Sequence, residues 1–185
     1  TYGTGTSWPY LDQSDCWQNQ TGDGATNVTY TFKGMSARNN SNSNGSYSDY
    51  AGSGTNNLFF GTDGMFKIKN IALGTTKSFT ISFGTEKYTS SAKDYTPSEF
   101  HIYIADGADT TKWLEVTNYT FGKGTNPSGR WDLATTATLT VPSTVTSIAL
   151  RFQADVASAY RLDDVKVTAS STAATSTLDF SKGVD

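Results

Sequence analysis

Asp163 and Asp164 are two acidic residues side by side in a strand-like stretch, Tyr160-Arg161-Leu162-Asp163-Asp164-Val165-Lys166-Val167. Neighbours on a strand point to opposite faces, so one of the pair faces inward or sits at the strand edge. A buried carboxylate needs a cation or several donors. Calcium, taking roughly six to eight oxygens from carboxylates, amides and carbonyls, meets that need. Backbone amides or the neighbouring Arg161 meet it as well. Residues 36–57 contain Asn39, Asn40, Asn42, Asn44 and Asp49, all oxygen donors. Asp163 and Asp49 are therefore candidate ligands of a structural Ca2+. Asp106-Gly107-Ala108-Asp109 is also acidic, but it lacks the closing Glu of a calcium-binding EF-hand loop and reads as a hairpin turn.

A second group of residues suits carbohydrate. Sugar recognition combines an apolar ring platform with a few placed polar groups. Strand parity turns His101 and Tyr103 outward from one strand, and Arg151 and Gln153 outward from another. The four converge if those strands are neighbours; otherwise they dot an ordinary solvated face. A loop rim is the other candidate surface, with Tyr47, Tyr50, Tyr88, Tyr95 and Trp131 in polar segments. Aromatics in such segments either contact a ligand or fold back onto the body. Trp113 follows a turn and leads a strand, so it is assigned to the core, with Trp8 and Trp17 at the core's edge.

Several chemistries are missing. His101 is the sole histidine, which removes His-rich metal sites, and Glu occurs only at 86, 99 and 115. A glycosidase needs two carboxyl groups facing each other across a cleft, and the one acidic pair within a predicted strand is Asp163-Asp164. Neither a Gly-x-Ser-x-Gly elbow nor a phosphate-binding loop is present. With 14 basic and 17 acidic residues the net charge is −3, and no Lys/Arg cluster exists to bind nucleic acid. No apolar run reaches the roughly 18 residues of a membrane helix. Cys16 stands alone, so no intrachain disulfide forms, and it reads as a small buried hydrophobe. The opening Thr1-Tyr2-Gly3-Thr4 is not a signal peptide, so any secretion signal is already gone or was never there. The polar, Thr- and Asn-rich surface points to a secreted or cell-surface setting.

What must position these residues is a β framework. The chain of 185 residues carries 10 Tyr, 10 Phe and 4 Trp, with 17 Gly, 30 Thr and 21 Ser. Thr, aromatic and β-branched residues suit half-buried strands, and Gly, Asn and Ser punctuate them. Alternation predicts strands at 27–33, 58–60, 65–71, 77–84, 99–105, 113–116, 138–141, 147–154 and 161–168. Gly61-Thr62-Asp63-Gly64 predicts a hairpin, and 36–57 a long loop. No convincing helix appears. Each sheet should have one wet face, giving an all-β, two-sheet antiparallel β-sandwich, a jelly roll in preference to a barrel. Residues 1–168 form that domain. Residues 169–185 read as a linker or the start of a following segment, with Leu178-Asp179-Phe180 able to pack back as an extra strand.

Over residues 50–168 the chain resembles a β-sandwich domain recurrent in secreted proteins of Bacteroidetes. The resemblance rests on Gly52-Ser53-Gly54-Thr55-Asn56-Asn57-Leu58-Phe59-Phe60-Gly61, on Ser82-Phe83-Gly84, and on Arg161 to Val167. The closing strand is also similar to that of galactose-binding-like jelly rolls, which include many carbohydrate-binding modules. That resemblance implies a calcium held by Asp163, and does not carry over its partner ligands because residues 36–57 depart from the pattern. The expectation is a non-catalytic, monomeric carbohydrate-binding module attached to other modules of one polypeptide, taking oligo- or polysaccharide. A spacer or adhesin-type domain that binds no sugar is the runner-up, and a jelly-roll lyase or glycosidase comes third.

Overall fold

Alternate Phe, Ile and Leu residues need one apolar face to bury, and among the described residues ten antiparallel strands provide it. The computed structural model describes residues 27–39, 50, 52, 56–87, 94–122, 130–155 and 160–185. The strands are β1 (Thr29–Asn39), β2 (Asn56–Ala72), β3 (Ser78–Lys87), β4 (Phe100–Asp106) and β5 (Asp109–Glu115). They continue as β6 (Tyr119–Phe121), β7 (Asp132–Thr136), β8 (Leu139–Thr140), β9 (Ser147–Ala154) and β10 (Tyr160–Ala169). All belong to one curled sheet, ordered β5-β4-β9-β2-β10-β3-β7-β6, with β1 added to β2 and β8 to β3.

The sheet closes on itself because β2 serves both halves. Its 65–72 portion pairs with β9, and its 58–60 portion pairs with β10. The two halves then face each other over a common core. Phe83 of β3 meets Phe152 of β9 with ring centroids 5.5 Å apart, and Phe100 of β4 stacks on Tyr160 of β10 at 5.1 Å. Ile81, Ile102, Ile104 and Leu150 fill the space between and are fully buried. The fold is an all-β antiparallel sandwich, as the alternation predicts.

Two expectations are corrected along β1 and β2. Gly61–Gly64 is not a hairpin, and residues 36–39 are strand, not loop. Met35 pairs with Phe60 and Lys33 with Met65, so four residues of β2 stand against the single Gly34 of β1. Both flanks pair antiparallel with the same strand, which means the chain keeps its direction and only bulges. Gly34 has φ 61° and Asp63 φ 54°, both in the left-handed region. A Cβ on Gly64 would lie 2.9 Å from the Gly61 carbonyl oxygen and 3.0 Å from that of Gly34. Bulges of this kind bend a strand and raise its twist, and here the bend carries β2 from one layer to the other. The glycine signal was real, but it marks a corner.

A second bulge sits at the acidic pair. Asp163 pairs with Gly84 and Lys166 with Ser82, and Asp164 takes φ 47°. Tyr160 and Leu162 point into the core and Asp163 shares the outward side with Arg161. The bulge also turns Asp164 to solvent, so neither carboxylate faces the core, contrary to the strict alternation argument.

The reading of 169–185 as a linker is also corrected. Leu178 and Phe180 pack partly buried against the core, and the Leu178 amide donates to the Thr140 carbonyl at 2.7 Å. A single 3-10 turn, Phe180–Lys182, then leads to Val184, which exchanges backbone hydrogen bonds with Trp113 of β5 at 2.8 and 3.0 Å. The tail thus ties β8 at one edge to β5 at the other.

The β1–β2 corner yields a direct test. Gly34→Val places a β-branched residue at positive φ, which costs on the order of 1–3 kcal/mol. Urea denaturation should show the midpoint falling with little change in slope. An unchanged midpoint would mean that the corner does not depend on glycine.

Candidate functional site

The outer face of the β5-β4-β9-β2-β1 layer gathers the sheet residues predicted to contact sugar. Ile102, Ile104, Leu150 and Phe152 turn inward, so His101, Tyr103, Arg151 and Gln153 turn outward. β4 and β9 are neighbours, in a register that sets His101 opposite Gln153 and Tyr103 opposite Arg151. The row continues on both sides: Glu115 of β5 lies opposite Tyr103, and Lys67 of β2 opposite Arg151. Met65 of β2 lies opposite Gln153.

The four residues are not equally available. Arg151 is only 8% exposed, its guanidinium carbon 4.1 Å from the Tyr103 ring centroid and 4.9 Å from that of Trp113. Burial lowers its pKa, partly offset by Tyr103. Lys67 places its ammonium 5.3 Å from the same Trp113 ring. Trp113 is buried, but on the outer side of the sheet, in a small cluster with Ala105 and Ala149. Trp113 is thus buried as the sequence predicts, in a cluster separate from the main core. Two alanines on the wet face make a floor low enough for an indole, and Trp113 shares the outward parity of Glu115. Those two features could have located it from sequence.

His101 is held from both sides. Its Nδ1 lies 2.6 Å from Glu115 Oε1 and its Nε2 lies 2.8 Å from Asp155 Oδ2. Nδ1 donates to Glu115, whereas Nε2 faces Asp155 at ion-pair distance without hydrogen-bond alignment; a carboxylate on either side of the ring favours the imidazolium form. Burial alone would lower the His101 pKa, but the Glu115 hydrogen bond and the Asp155 and Glu115 charges together raise it above its ordinary value. Gln153 Nε2 donates to the other Asp155 oxygen at 3.2 Å. The His101 ring stacks beside Tyr103 at 6.0 Å. Glu115, Asp155, Lys67 and Trp113 are the members of this face that sequence reasoning did not single out.

The loop rim fares differently. Tyr95 is 2% exposed and packs its ring at 5.0 Å from Phe121 and 5.4 Å from Tyr160, with its hydroxyl 3.1 Å from that of Tyr119. Trp131 is 0% exposed, and the Tyr50 ring meets it edge-on at 6.3 Å. Both rings are packed in the body, which corrects the expectation that Tyr95 and Trp131 stand at the rim. Tyr50 is half-buried over Gly84, where any side chain would overlap its hydroxyl. That hydroxyl donates to Asp164 Oδ2 at 2.8 Å, and burial, Asp163 and Asp164 all push its pKa up. Tyr47, Tyr88 and Asp49 lie outside the described residues, as do Trp8, Cys16 and Trp17.

Around the acidic pair, the Asp164 amide donates to Asp163 Oδ1 at 2.9 Å. Among the described residues no group of three or more His, Cys, Asp or Glu side chains converges as a metal site. Asp163 and Asp164 alone fall short of the oxygens calcium takes. Among the same residues no helix is long and apolar enough to cross a membrane.

No protein-family model matches this chain, and no curated protein matches it. Solved structures that resemble it include carbohydrate-binding modules. The CBM22-1 xylan-binding domain from Paenibacillus barcinonensis Xyn10C aligns with 14% identity and a TM-score of 0.45, over 83% of this chain and 92% of that one. TmCBM61 in complex with β-1,4-galactotriose aligns with 11% identity and a TM-score of 0.44, over 77% and 88%. The Clostridium thermocellum endo-1,4-β-D-xylanase 10B CBM22-1 and GH10 modules, complexed with xylohexaose, align with 14% identity and a TM-score of 0.47. That match covers 80% of this chain, which spans only 27% of the xylanase chain. The similarity is distant, so the choice of ligand rests on the residues of this chain.

The His101 clamp carries a pH signature. A folded pKa raised above the ordinary value of about 6.5 gives stability that is full below that value and lost as pH rises through the folded pKa. The melting-temperature gap between the wild type and His101→Gln should therefore be wider near pH 6 than near pH 9. A gap that stays constant across that range would show that the two carboxylates do not hold an imidazolium.

Proposed function

We propose that this domain is a non-catalytic carbohydrate-binding module of a secreted or cell-surface protein, binding glycan on the outer face of the β5-β4-β9-β2-β1 layer. The observation that carries the reading is the patch in which Tyr103 and Arg151, and His101 and Gln153, stand opposite each other on neighbouring strands. The partly exposed Tyr103 ring offers apolar contact to a sugar, with the charged His101 ring beside it. Gln153, Glu115 and Asp155 offer donors and acceptors to its hydroxyls. The rings and acids are fixed beforehand by the His101 clamp and the Arg151 stack, which reduces the ordering cost of binding. Glu115 and Asp155 flank an imidazole, an arrangement suited to holding a surface in shape. The Bacteroidetes source and the monomeric, multi-module setting suggested by the sequence belong to the same proposal.

A glycan array probed with the wild type should give polysaccharide hits. Tyr103→Ala should weaken them about tenfold or more, equivalent to roughly 1.4 kcal/mol. Absence of any hit would instead favour the spacer or adhesin-type domain, a reading supported by the burial of Tyr95 and Trp131. Turnover of a polysaccharide by the isolated domain would sink both.

A structural calcium on Asp163, with Asp49 as a second ligand, is part of the proposal. Its support is the bulge that turns two adjacent carboxylates outward, and the Asp164 hydrogen bond to Tyr50, the residue after Asp49. Such an ion would tie β10 to the segment before β2. Chelation with EDTA should lower the melting temperature by several degrees, re-addition of calcium should restore it, and Asp163→Ala should be low and insensitive to both. Indifference of the wild type to EDTA removes the ion.

A further inference from the structure

The protein carries more acid than base, yet one region of the proposed face has cations that no acid among the described residues meets. Lys67 and Arg151 stand directly opposite each other on β2 and β9, about 4.8 Å apart between strands. Like charges in that position repel and destabilise a sheet. Lys69 stands two residues beyond Lys67 on β2. Among the described residues none of the three lies within ion-pair distance of a carboxylate. The acids of this face, Glu115 and Asp155, are both engaged by His101 at its other end. Arg151 is more than nine-tenths buried; among the described residues its Nε finds no hydrogen-bond acceptor, and its guanidinium's hydrogen-bond partner is the neutral Tyr103 hydroxyl. The rings of Tyr103 and Trp113 cover its charge without neutralising it. Lys67 is half-exposed, so its ammonium is the part of this pair that a ligand can reach.

From this juxtaposition we infer that the glycan taken by this face is acidic, with a carboxylate or sulfate group seated on Lys67 above the buried guanidinium of Arg151. This rests on the carbohydrate-binding reading and narrows it to a substrate class. Lys67 makes the contact, because an ammonium on a flexible stem can follow an anion of either geometry. Arg151 supplies a fixed second charge from the floor of the sheet, and Lys69 adds to the local field. The anion would relieve the repulsion the apo face carries. Burial, then Arg151 and Lys69, already hold the Lys67 pKa below its ordinary value, and a bound anion would reverse that direction. The rest of the sugar would continue along the row past Tyr103 towards His101 and Gln153.

The test is a panel in which each uronate-bearing or sulfated polysaccharide is paired with its carboxyl-reduced or desulfated form, titrated against the whole domain. The charged member of at least one pair should bind at least fivefold tighter than its neutral partner, and the advantage should shrink as salt is raised. Lys67→Gln, a surface change that leaves the core intact, should erase that advantage, so that the charged and neutral members of the pair bind alike. Whether the uronate or the sulfate pair responds tells which anion is read. Equal binding of charged and neutral forms, or an advantage that survives Lys67→Gln, overturns the inference while carbohydrate binding stands. No binding by any member overturns both.

Discussion

The structure depends on one strand. β2 is hydrogen-bonded to β1 along both its portions, to β9 through its later residues and to β10 through its earlier ones. A backbone in the middle of a sheet has donors and acceptors on two sides, and each must be met where water is excluded. β2 meets this twice, in two layers, by bending at Gly61–Gly64 against Gly34. With the bend in place, Phe60 and Phe66 both enter the shared core, and the halves of the sheet have no choice but to face each other. The wet face that carries Lys67, Arg151, Tyr103 and His101 is the reverse side of that arrangement.

That face is unusual in how much of it is already occupied by its own interactions. Trp113 lies on Ala105 and Ala149, Arg151 lies against Trp113 and Tyr103, and His101 is caught between two acids. The edge strand beneath Trp113 is in turn paired with Val184 from the C-terminal tail. Gly183 allows this, since a Cβ there would lie 2.7 Å from the Trp113 amide nitrogen. The tail thus contributes to the shape of the face without reaching its polar groups. Side chains fixed in this way lose little freedom when a ligand arrives, and their charges stay where the sheet has put them.

Much of this was legible in the sequence, and the parts that were not share a cause. The period-2 pattern of Phe79, Ile81 and Phe83, of Phe100, Ile102 and Ile104, and of Ile148, Leu150 and Phe152 identified strands and their buried sides, because burial of an apolar face is a local property of alternation. The same parity placed His101, Tyr103, Arg151 and Gln153 on wet faces. Gly61–Gly64 looks like a turn in the sequence because glycine announces a departure from regular backbone without saying which one. Tyr95 and Trp131 look like rim residues in the sequence because their neighbours are polar, whereas their own rings find space beside Phe121 and Tyr160, and beside Tyr50.

What the sequence by itself determined was the strand pattern, the all-β class and which side of each strand is wet. Whether two wet faces adjoin depends on strand order and register, and these are set by long-range backbone pairing that no local pattern encodes. The tertiary structure alone therefore decided that Tyr103 meets Arg151, that Lys67 opposes the same guanidinium, and that Glu115 and Asp155 close on His101 from strand β5 and the residue after β9. Side-chain charge is written in the chain, but its compensation is a matter of distance, and distance belongs to the fold.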